Sequence, residues 1–213
     1  MDIQVWSDVV CPWCYIGKAR LEKALRAVEG EVTVTYRAFQ LSAEPVPEPL
    51  PIKQVMAAKF GGPEQVEEML AQVTEMAASE GLTIDYDRAI AANTFAAHRL
   101  IAWAAIQDRQ ADMLDALQRA HFADGVDIGS LPAIAEVAGS IGLDAGAALA
   151  HLKSEAGTTA INTDIEEARA LGISSVPTFV VDGKYALPGA HDTATLLSAF
   201  EEITRRESAN AGL

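Results

Sequence analysis

The stretch Ser7-Asp8-Val9-Val10-Cys11-Pro12-Trp13-Cys14 determines how the rest of this 213-residue sequence can be interpreted. It ends an apolar, strand-like run from Ile3 to Val10 and precedes apolar residues with the three-to-four spacing of a helix. Unpaired N–H groups and the positive end of the helix dipole favour an anion at a helix N-terminus, and a thiolate is an anion. Pro12 suits the first helical turn, where its missing N–H costs nothing. The motif therefore predicts a thiol–disulfide redox site in which Cys11 is the nucleophile and Cys14 the resolving thiol.

Two other interpretations of the cysteine pair are weaker. A disulfide that closes only two intervening residues removes little entropy from the unfolded chain, which argues against a purely structural bridge. A zinc site needs further ligands, and no histidine lies in a paired spacing with another among His98, His121, His151 and His191. Because Cys11 and Cys14 are the only cysteines, we expect no metal site and a redox-active Cys11–Cys14 disulfide.

The composition limits the partners that this chain can have. The formal net charge is -14 and Lys and Arg form no cluster, which argues against binding to nucleic acid or to an anionic membrane surface. No apolar run approaches the roughly 18–20 residues that span a bilayer, and the N-terminal Met1-Asp2-Ile3 lacks the features of a secretory signal. We therefore expect a cytoplasmic protein, and disulfides in that compartment are usually transient, catalytic or redox-sensing.

The first forty residues have the pattern of a βαβ unit. Apolar and polar residues alternate from Val32 to Ala38, which predicts a second strand, and Gly30 suits the end of the preceding helix. Two strands joined by a helix over so short a distance should be parallel with a right-handed crossover. The pattern then breaks over residues 42–51, which contain Pro45, Pro47, Pro49 and Pro51. Beyond them the periodicity is helical for more than one hundred residues.

Strand character returns near the C-terminus. A helix is predicted over 154–171, followed by strands at 178–181 and 184–187. Asp182-Gly183 between the two strands is a strong signal for a two-residue hairpin. Asp192 is suited to cap a last helix. The predicted order is therefore strand, helix, strand, helical insertion, helix, two strands and a final helix.

This order, with a Cys-x-x-Cys motif after the first strand, resembles the DsbA-like thioredoxin family and, within it, the FrnE-type cytoplasmic oxidoreductases. The resemblance rests on three segments that together span nearly the whole chain: Ser7-Asp8-Val9-Val10-Cys11-Pro12-Trp13-Cys14-Tyr15-Ile16-Gly17-Lys18, Asn93-Thr94 with Ala97-His98-Arg99-Leu100, and Gly172-Ile173-Ser174-Ser175-Val176-Pro177-Thr178-Phe179. It implies an α/β thioredoxin fold with a four-stranded mixed sheet, interrupted by an all-helical insertion. The two halves of the fold would be residues 1–41 and 154–213, and the insertion would be residues 42–153.

The resemblance also implies a substrate-binding geometry at Val176 and Pro177. Thioredoxin folds place a cis-proline beside the cysteine pair, so the Val176-Pro177 bond is expected to be cis, although ordinary X–Pro bonds are cis only about 5% of the time. The N–H and C=O of Val176 would then face a substrate backbone for strand-like pairing. Trp13 stands where strongly oxidising members have histidine. Because tryptophan carries no charge to stabilise a thiolate, we expect a less oxidising couple that favours reduction or isomerisation of disulfides.

Four further polar residues are candidates for supporting roles. Asp8 could accept the proton of Cys14 if it is buried, although an acidic residue at a strand end is more often a solvated cap. Lys18 follows Cys14 by four residues and could hold charge near the thiols, although a surface lysine is the simpler interpretation. Asn93 and His98 belong to the segment that resembles the one facing the active site in the family. They could line a substrate groove, or serve as an N-cap and a solvated side chain.

The sequence thus predicts a thiol–disulfide oxidoreductase that reduces or isomerises protein or small-molecule disulfides and binds no cofactor. Glutathione could serve as its substrate or reductant. Two alternatives stay open. The same superfamily includes kappa-class glutathione transferases and 2-hydroxychromene-2-carboxylate isomerases, but these typically carry serine where this chain has Cys11. A non-enzymatic redox sensor would use the same cysteine pair. An acidic chain with an apolar helical insertion could also form a homodimer.

Overall fold

A computed structural model describes residues 1–46 and 48–211. Pro47 in the predicted proline-rich connection and residues 212–213 of the predicted C-terminal half lie outside the described residues. The elements follow in the order β1 (Asp2–Ser7), α1 (Pro12–Leu25), β2 (Thr33–Ala38), α2 (Ile52–Lys59), α3 (Pro63–Ser79), α4 (Phe95–Ala105), α5 (Gln110–Phe122), α6 (Leu131–Ser140), α7 (Ala145–Lys153), α8 (Thr158–Ala170), β3 (Thr178–Val181), β4 (Tyr185–Pro188) and α9 (Thr193–Ala211).

Four strands form one mixed sheet in the order β2-β1-β3-β4. β1 is parallel to β2, as expected for a βαβ unit, whereas β3 is antiparallel to both β1 and β4. Side chains alternate between the two faces of the sheet. Val5 and Phe179 face the main core, and Trp6 and Val180 face the opposite side, where they pack with Ala168 of α8. The predicted α/β thioredoxin fold with a four-stranded mixed sheet is confirmed.

The hairpin between β3 and β4 differs by one residue from the prediction. Its loop contains three residues, because Val181 pairs with Tyr185 and β4 therefore begins one residue later than expected. Asp182 and Gly183 both have positive φ, as the sequence signal implied. The Asp182 N–H donates to the carbonyl of Asp2 at 2.8 Å. That bond ties the loop to β1 and leaves Asp182 outside the hairpin ladder.

The helix predicted to begin at residue 154 begins instead at Thr158. Arg99 is the reason for the delay, because its guanidinium binds the carbonyl oxygens of Ser154 at 2.5 Å and Ala156 at 2.8 Å. Gly157, in the left-handed conformation, then starts α8. The segment between α7 and α8 is thus shaped by a cation and not by helix propensity.

Helices α4–α7 of the insertion share one hydrophobic core with the sheet, whereas α2 and α3 pack against Tyr15 and Ile16 of α1 in a second cluster. Leu100 of α4, Leu117 of α5 and Ile134 of α6 belong to the same buried cluster as Val5 and Phe179. The insertion therefore packs on the thioredoxin half through both clusters, and the boundaries at residues 41 and 153 stay a prediction. None of the described helices is long and apolar enough to cross a membrane.

Candidate active site

The two cysteines lie where β1 passes into α1. Cys11 is the N-cap of α1 in extended conformation, and Pro12 occupies the first helical turn. The N–H groups of Cys14 and Tyr15 donate to the carbonyl of Cys11 at 3.0 Å and 3.2 Å, which fixes the turn between the cysteines. Both thiols are free and buried, with exposures of 4% for Cys11 and 2% for Cys14. Cys11 is therefore the slightly more exposed of the two buried cysteines.

The Val176-Pro177 bond is cis, as predicted. The thiol of Cys11 donates to the carbonyl oxygen of Val176 at 3.7 Å, so the start of β3 lies directly beside the cysteine. The hydroxyl of Thr178 donates to the Ser175 carbonyl at 2.8 Å and holds this turn in place. Val176-Pro177 therefore lies next to Cys11, as the family resemblance implied. The pairing of Val176 with a substrate backbone stays a prediction.

Asp8 is fully buried and is not a solvated cap. Its Oδ1 lies 3.2 Å from Nε2 of His98, and its Oδ2 accepts the N–H of Leu41 at 2.8 Å. Burial raises the pKa of the Cys14 thiol well above its ordinary value, and the hydrogen bond and charge of Cys11 raise it further. A main-chain hydrogen bond at Asp8 lowers this pKa, whereas the charge of the Asp8 carboxylate raises it. The hypothesis that Asp8 accepts the proton of Cys14 required a buried carboxyl group, and the Asp8 carboxyl group is buried. The acceptor role stays a prediction.

Lys18 is buried, so the expectation of a surface lysine is wrong. Its ammonium forms ion pairs with Glu22 and, at 2.7 Å, with Asp115 of α5, and it lies 5.7 Å from the centre of the Tyr36 ring. These partners explain the burial, because a buried ammonium is tolerated only when it is paired. The predicted role of Lys18 in holding charge near the thiols is not tested by these contacts.

Trp13 and Asn93 lie in different environments. Trp13 is 42% exposed beside the buried thiols, where its indole can contact a substrate. The side-chain amide of Asn93 donates to the carbonyls of Ala43 and Glu44, and its oxygen accepts the N–H of Phe95 at 3.0 Å. Asn93 thus ties the proline-rich connection to the start of α4, but the N-cap of α4 is Thr94, so the expectation that Asn93 is the N-cap is wrong by one residue. The proposed part of Asn93 in substrate binding stays a prediction.

His98 is buried as well, against the expectation that it could be a solvated side chain. Besides Asp8, its Nε2 lies 3.0 Å from the carbonyl oxygen of Phe39. Arg99, next in the sequence, is also buried and binds four carbonyl oxygens, those of His151, Leu152, Ser154 and Ala156. The start of α4 therefore supplies hydrogen bonds to two regions, from His98 to the Asp8 side of the site and from Arg99 to the segment between α7 and α8.

Sequence reasoning missed several buried polar residues in this region. Within the described residues, no hydrogen-bond partner exists for the side chains of Thr94, Gln118 and His121 or for the Tyr86 hydroxyl. Gln118 and His121 occupy positions on the apolar face of α5, next to Leu117, and a polar residue at such a position was the signal that could have revealed them. Burial lowers the pKa of His121 to about 4, and the charge of Asp8 opposes this shift. In the part of the chain that the structure describes, no group of three or more potential ligand side chains is arranged to hold a metal ion.

Comparison with known proteins agrees with this geometry. The sequence profile of the DSBA-like thioredoxin domain matches residues 2–201. A probable DsbA oxidoreductase from Streptomyces coelicolor is 34% identical, with a TM-score of 0.90 over 95% of this chain and 89% of that one. Two further crystal structures share the fold: a 2-hydroxychromene-2-carboxylate isomerase (18% identity, TM-score 0.71, 98% of each chain) and the cytosolic disulfide reductase DsbM from Pseudomonas aeruginosa with GSH (21% identity, TM-score 0.65, 97% of this chain and 100% of that one).

Proposed function

This chain belongs to the DSBA-like thioredoxin domain family, and from this premise we propose that it is a thiol–disulfide oxidoreductase with Cys11 as nucleophile and Cys14 as resolving thiol. The observation that carries the proposal is the position of Cys11 at the N-cap of α1, beside the carbonyl of Val176. The positive end of α1 favours a thiolate at this position. The main chain at Val176 offers hydrogen-bonding groups to an extended substrate next to the attacking sulfur.

The two cysteines have different roles because their surroundings differ. Burial, together with the hydrogen bond and charge of Cys11, raises the pKa of Cys14, so Cys14 keeps its proton until the resolving step. The Cys11 thiolate attacks one sulfur of the substrate disulfide, and the other sulfur leaves as a thiolate that takes a proton from water. Cys14 then transfers its proton to Asp8 and attacks Cys11, which forms the Cys11–Cys14 disulfide and releases the second substrate sulfur. The dithiol has then given two electrons to the substrate, and an external thiol must reduce the disulfide again.

The direction that we propose is reduction or isomerisation of substrate disulfides. Trp13 between the cysteines carries no positive charge, so the thiolate of the reduced form is less stabilised than it would be beside a cation. A reduction potential measured by equilibration with glutathione checks this direction. A value near the roughly -120 mV of a strong oxidant would contradict it.

Glutathione is the reductant that we propose for the Cys11–Cys14 disulfide, in a reducing cytosolic compartment. The proposal follows the fold likeness to the disulfide reductase DsbM, whose structure was determined with GSH. Turnover of a disulfide substrate with glutathione as the only thiol source tests it. The predicted homodimer is a separate proposal, and sedimentation velocity on the purified protein checks it.

A reduction assay with two cysteine variants tests the main proposal. The wild type should accelerate the reduction of insulin by dithiothreitol. Cys11→Ser should show no such acceleration. Cys14→Ser should instead accumulate a mixed disulfide through Cys11, visible by intact mass with and without reductant. Acceleration that persists in Cys11→Ser would rule out Cys11 as the nucleophile.

The glutathione-dependent isomerase or transferase alternative is tested with the same proteins. The fold is shared with 2-hydroxychromene-2-carboxylate isomerase, although Cys11 stands where serine is expected in that group. Glutathione conjugation that survives both cysteine substitutions would favour this alternative. A redox sensor without catalytic activity would form the Cys11–Cys14 disulfide but would not accelerate insulin reduction.

A further inference from the structure

Asp8 and His98 form a buried pair behind the cysteines, and from its geometry we propose that His98 is a positioning residue that holds Asp8 as an ionised acceptor for the proton of Cys14. The inference rests on the proposed function, because it concerns the step in which Cys14 resolves the mixed disulfide. In that step the proton moves from the Cys14 sulfur to the Asp8 carboxylate, and the electron pair left on sulfur forms the new bond to Cys11.

The contacts of His98 decide which of its nitrogens carries hydrogen. Nε2 lies 3.2 Å from Oδ1 of Asp8 and 3.0 Å from the carbonyl oxygen of Phe39. The carbonyl of Phe39 can only accept a hydrogen bond, so Nε2 must be the donor whatever the state of Asp8. The single N–H at Nε2 is therefore shared between the Phe39 carbonyl and Oδ1 of Asp8, and that nitrogen has no lone pair with which to remove the proton. Its role is to orient and stabilise the carboxylate.

The second oxygen of Asp8 is held in the same way. Oδ2 accepts the N–H of Leu41 at 2.8 Å, and Oδ1 shares the His98 N–H with the Phe39 carbonyl, so each carboxylate oxygen faces one N–H group of the protein. Asp8 is fully buried, and a buried carboxylate without donors would be neutral instead of charged. The two donors thus keep Asp8 able to receive the Cys14 proton.

The other titratable groups around the pair come from four elements. Cys14 of α1 and His121 of α5 interact with the charge of Asp8, and Asp164 of α8 interacts with His98. Asp164 is itself paired with Arg37 of β2 at 3.1 Å. His121 stays neutral above about pH 4, since burial lowers its pKa to about 4. His121 therefore provides a matched control, a buried histidine near Asp8 that is not bonded to it.

The test follows the resolving step from about pH 5 to pH 9 with 5,5′-dithiobis(2-nitrobenzoate) as the substrate. The first released thiolate reports the attack by Cys11 and the second reports resolution by Cys14. In His98→Leu the acidic limb of the second phase should move up by about one pH unit, a tenfold loss of rate at a pH on that limb, while the first phase is unchanged. His98→Gln retains an N–H donor at a similar reach and should restore the profile to within about 0.3 pH units of the wild type. His121→Gln should leave both phases unchanged.

The outcomes separate this inference from the proposed function. A His98→Leu profile identical to that of the wild type would overturn the inference, and so would an equal shift in His98→Gln. A wild type that never releases the second thiolate would instead overturn the proposed function. If His98→Leu does not fold, long-range ¹H–¹⁵N correlation spectra of the wild type still decide the matter. They should show His98 protonated at Nε2, and a tautomer protonated only at Nδ1 would contradict the proposal.

Discussion

Gly17 lies so close to Pro177 that a Cβ atom on Gly17 would stand 2.9 Å from Cγ of Pro177 and 3.4 Å from Cβ of Ala190. A glycine inside a helix costs about 1 kcal/mol relative to alanine, so α1 is weakened at this position. The missing side chain allows the second turn of α1 to rest against Pro177, which directly precedes β3. Gly17 therefore permits the contact through which the carbonyl of Val176 reaches Cys11.

Gly17→Ala should lower both stability and activity. Crowding against Pro177 should lower the free energy of unfolding by about 1–3 kcal/mol, and the higher helix propensity of alanine should raise it by about 1 kcal/mol. We therefore expect a net loss of roughly 1 kcal/mol. Urea unfolding measures the stability, and insulin reduction should fall because Pro177 is pushed away from Cys11. In the control Gly139→Ala the new Cβ would meet only Cβ of Ala145, at 3.3 Å, and turnover should be unchanged. Full stability and full turnover in Gly17→Ala would contradict the prediction.

The sequence predicted the elements of the fold better than the surroundings of the site. Periodicity located the sheet and α1, and the fold resemblance located Pro177, because these depend on local pattern and chain order. The burial of Lys18 could not be predicted in the same way. Its partner Asp115 arrives from α5, and no local pattern shows which helix will cover a given residue. The same reason explains why His98 looked like a surface residue, since its contact with Asp8 joins two distant segments.

Trp13→His should make the Cys11–Cys14 couple more oxidising. A histidine between the cysteines can donate to, or carry charge near, the Cys11 thiolate and so stabilise the reduced form. We expect the reduction potential to become less negative by about 30 mV or more, which corresponds to about 1.4 kcal/mol. Equilibration with glutathione buffers measures it, and Trp13→Phe should remain within about 10 mV of the wild type. Equal reduction potentials in Trp13→His and Trp13→Phe would show that charge at this position does not determine the reduction potential of the Cys11–Cys14 couple.

Arg99→Met should destabilise the fold strongly. The buried guanidinium binds carbonyl oxygens at the end of α7 and in the turn that follows, so its loss removes four hydrogen bonds and leaves the buried carbonyl of Leu152 without this donor. We expect a loss of about 2–4 kcal/mol in the free energy of unfolding, measured with urea. Arg99→Lys should also lose a large part of the same free energy of unfolding, because an ammonium group cannot reproduce the planar set of guanidinium donors. The control Arg205→Met removes an exposed partner of Glu202 and should cost less than about 0.5 kcal/mol. Similar losses at the two arginines would contradict the structural role of Arg99.

His121 should make the stability of this protein fall as the solution becomes acidic. Burial lowers its pKa in the folded state to about 4, and in the unfolded chain the ordinary value is about 6.5. Between these two values the unfolded chain binds a proton that the folded chain does not. Stability is therefore lost as the pH falls from about 6.5 to about 4, by roughly 3 kcal/mol in total, and no further below that.

His121→Gln isolates this contribution, because all other groups titrate in both proteins. The free energy of unfolding should be measured with urea at about pH 7, 5.5 and 4 for the wild type and the variant. The free energy of unfolding of the variant relative to that of the wild type should rise by about 3 kcal/mol between pH 7 and pH 4. The reason is that glutamine binds no proton in the unfolded chain, so the variant does not lose this stability. A difference that stays constant over this range would mean that the proton reaches His121 in the folded protein. In that case water would have access to the interior beside Asp8, and His121 could no longer serve as a silent neighbour of the Asp8–His98 pair.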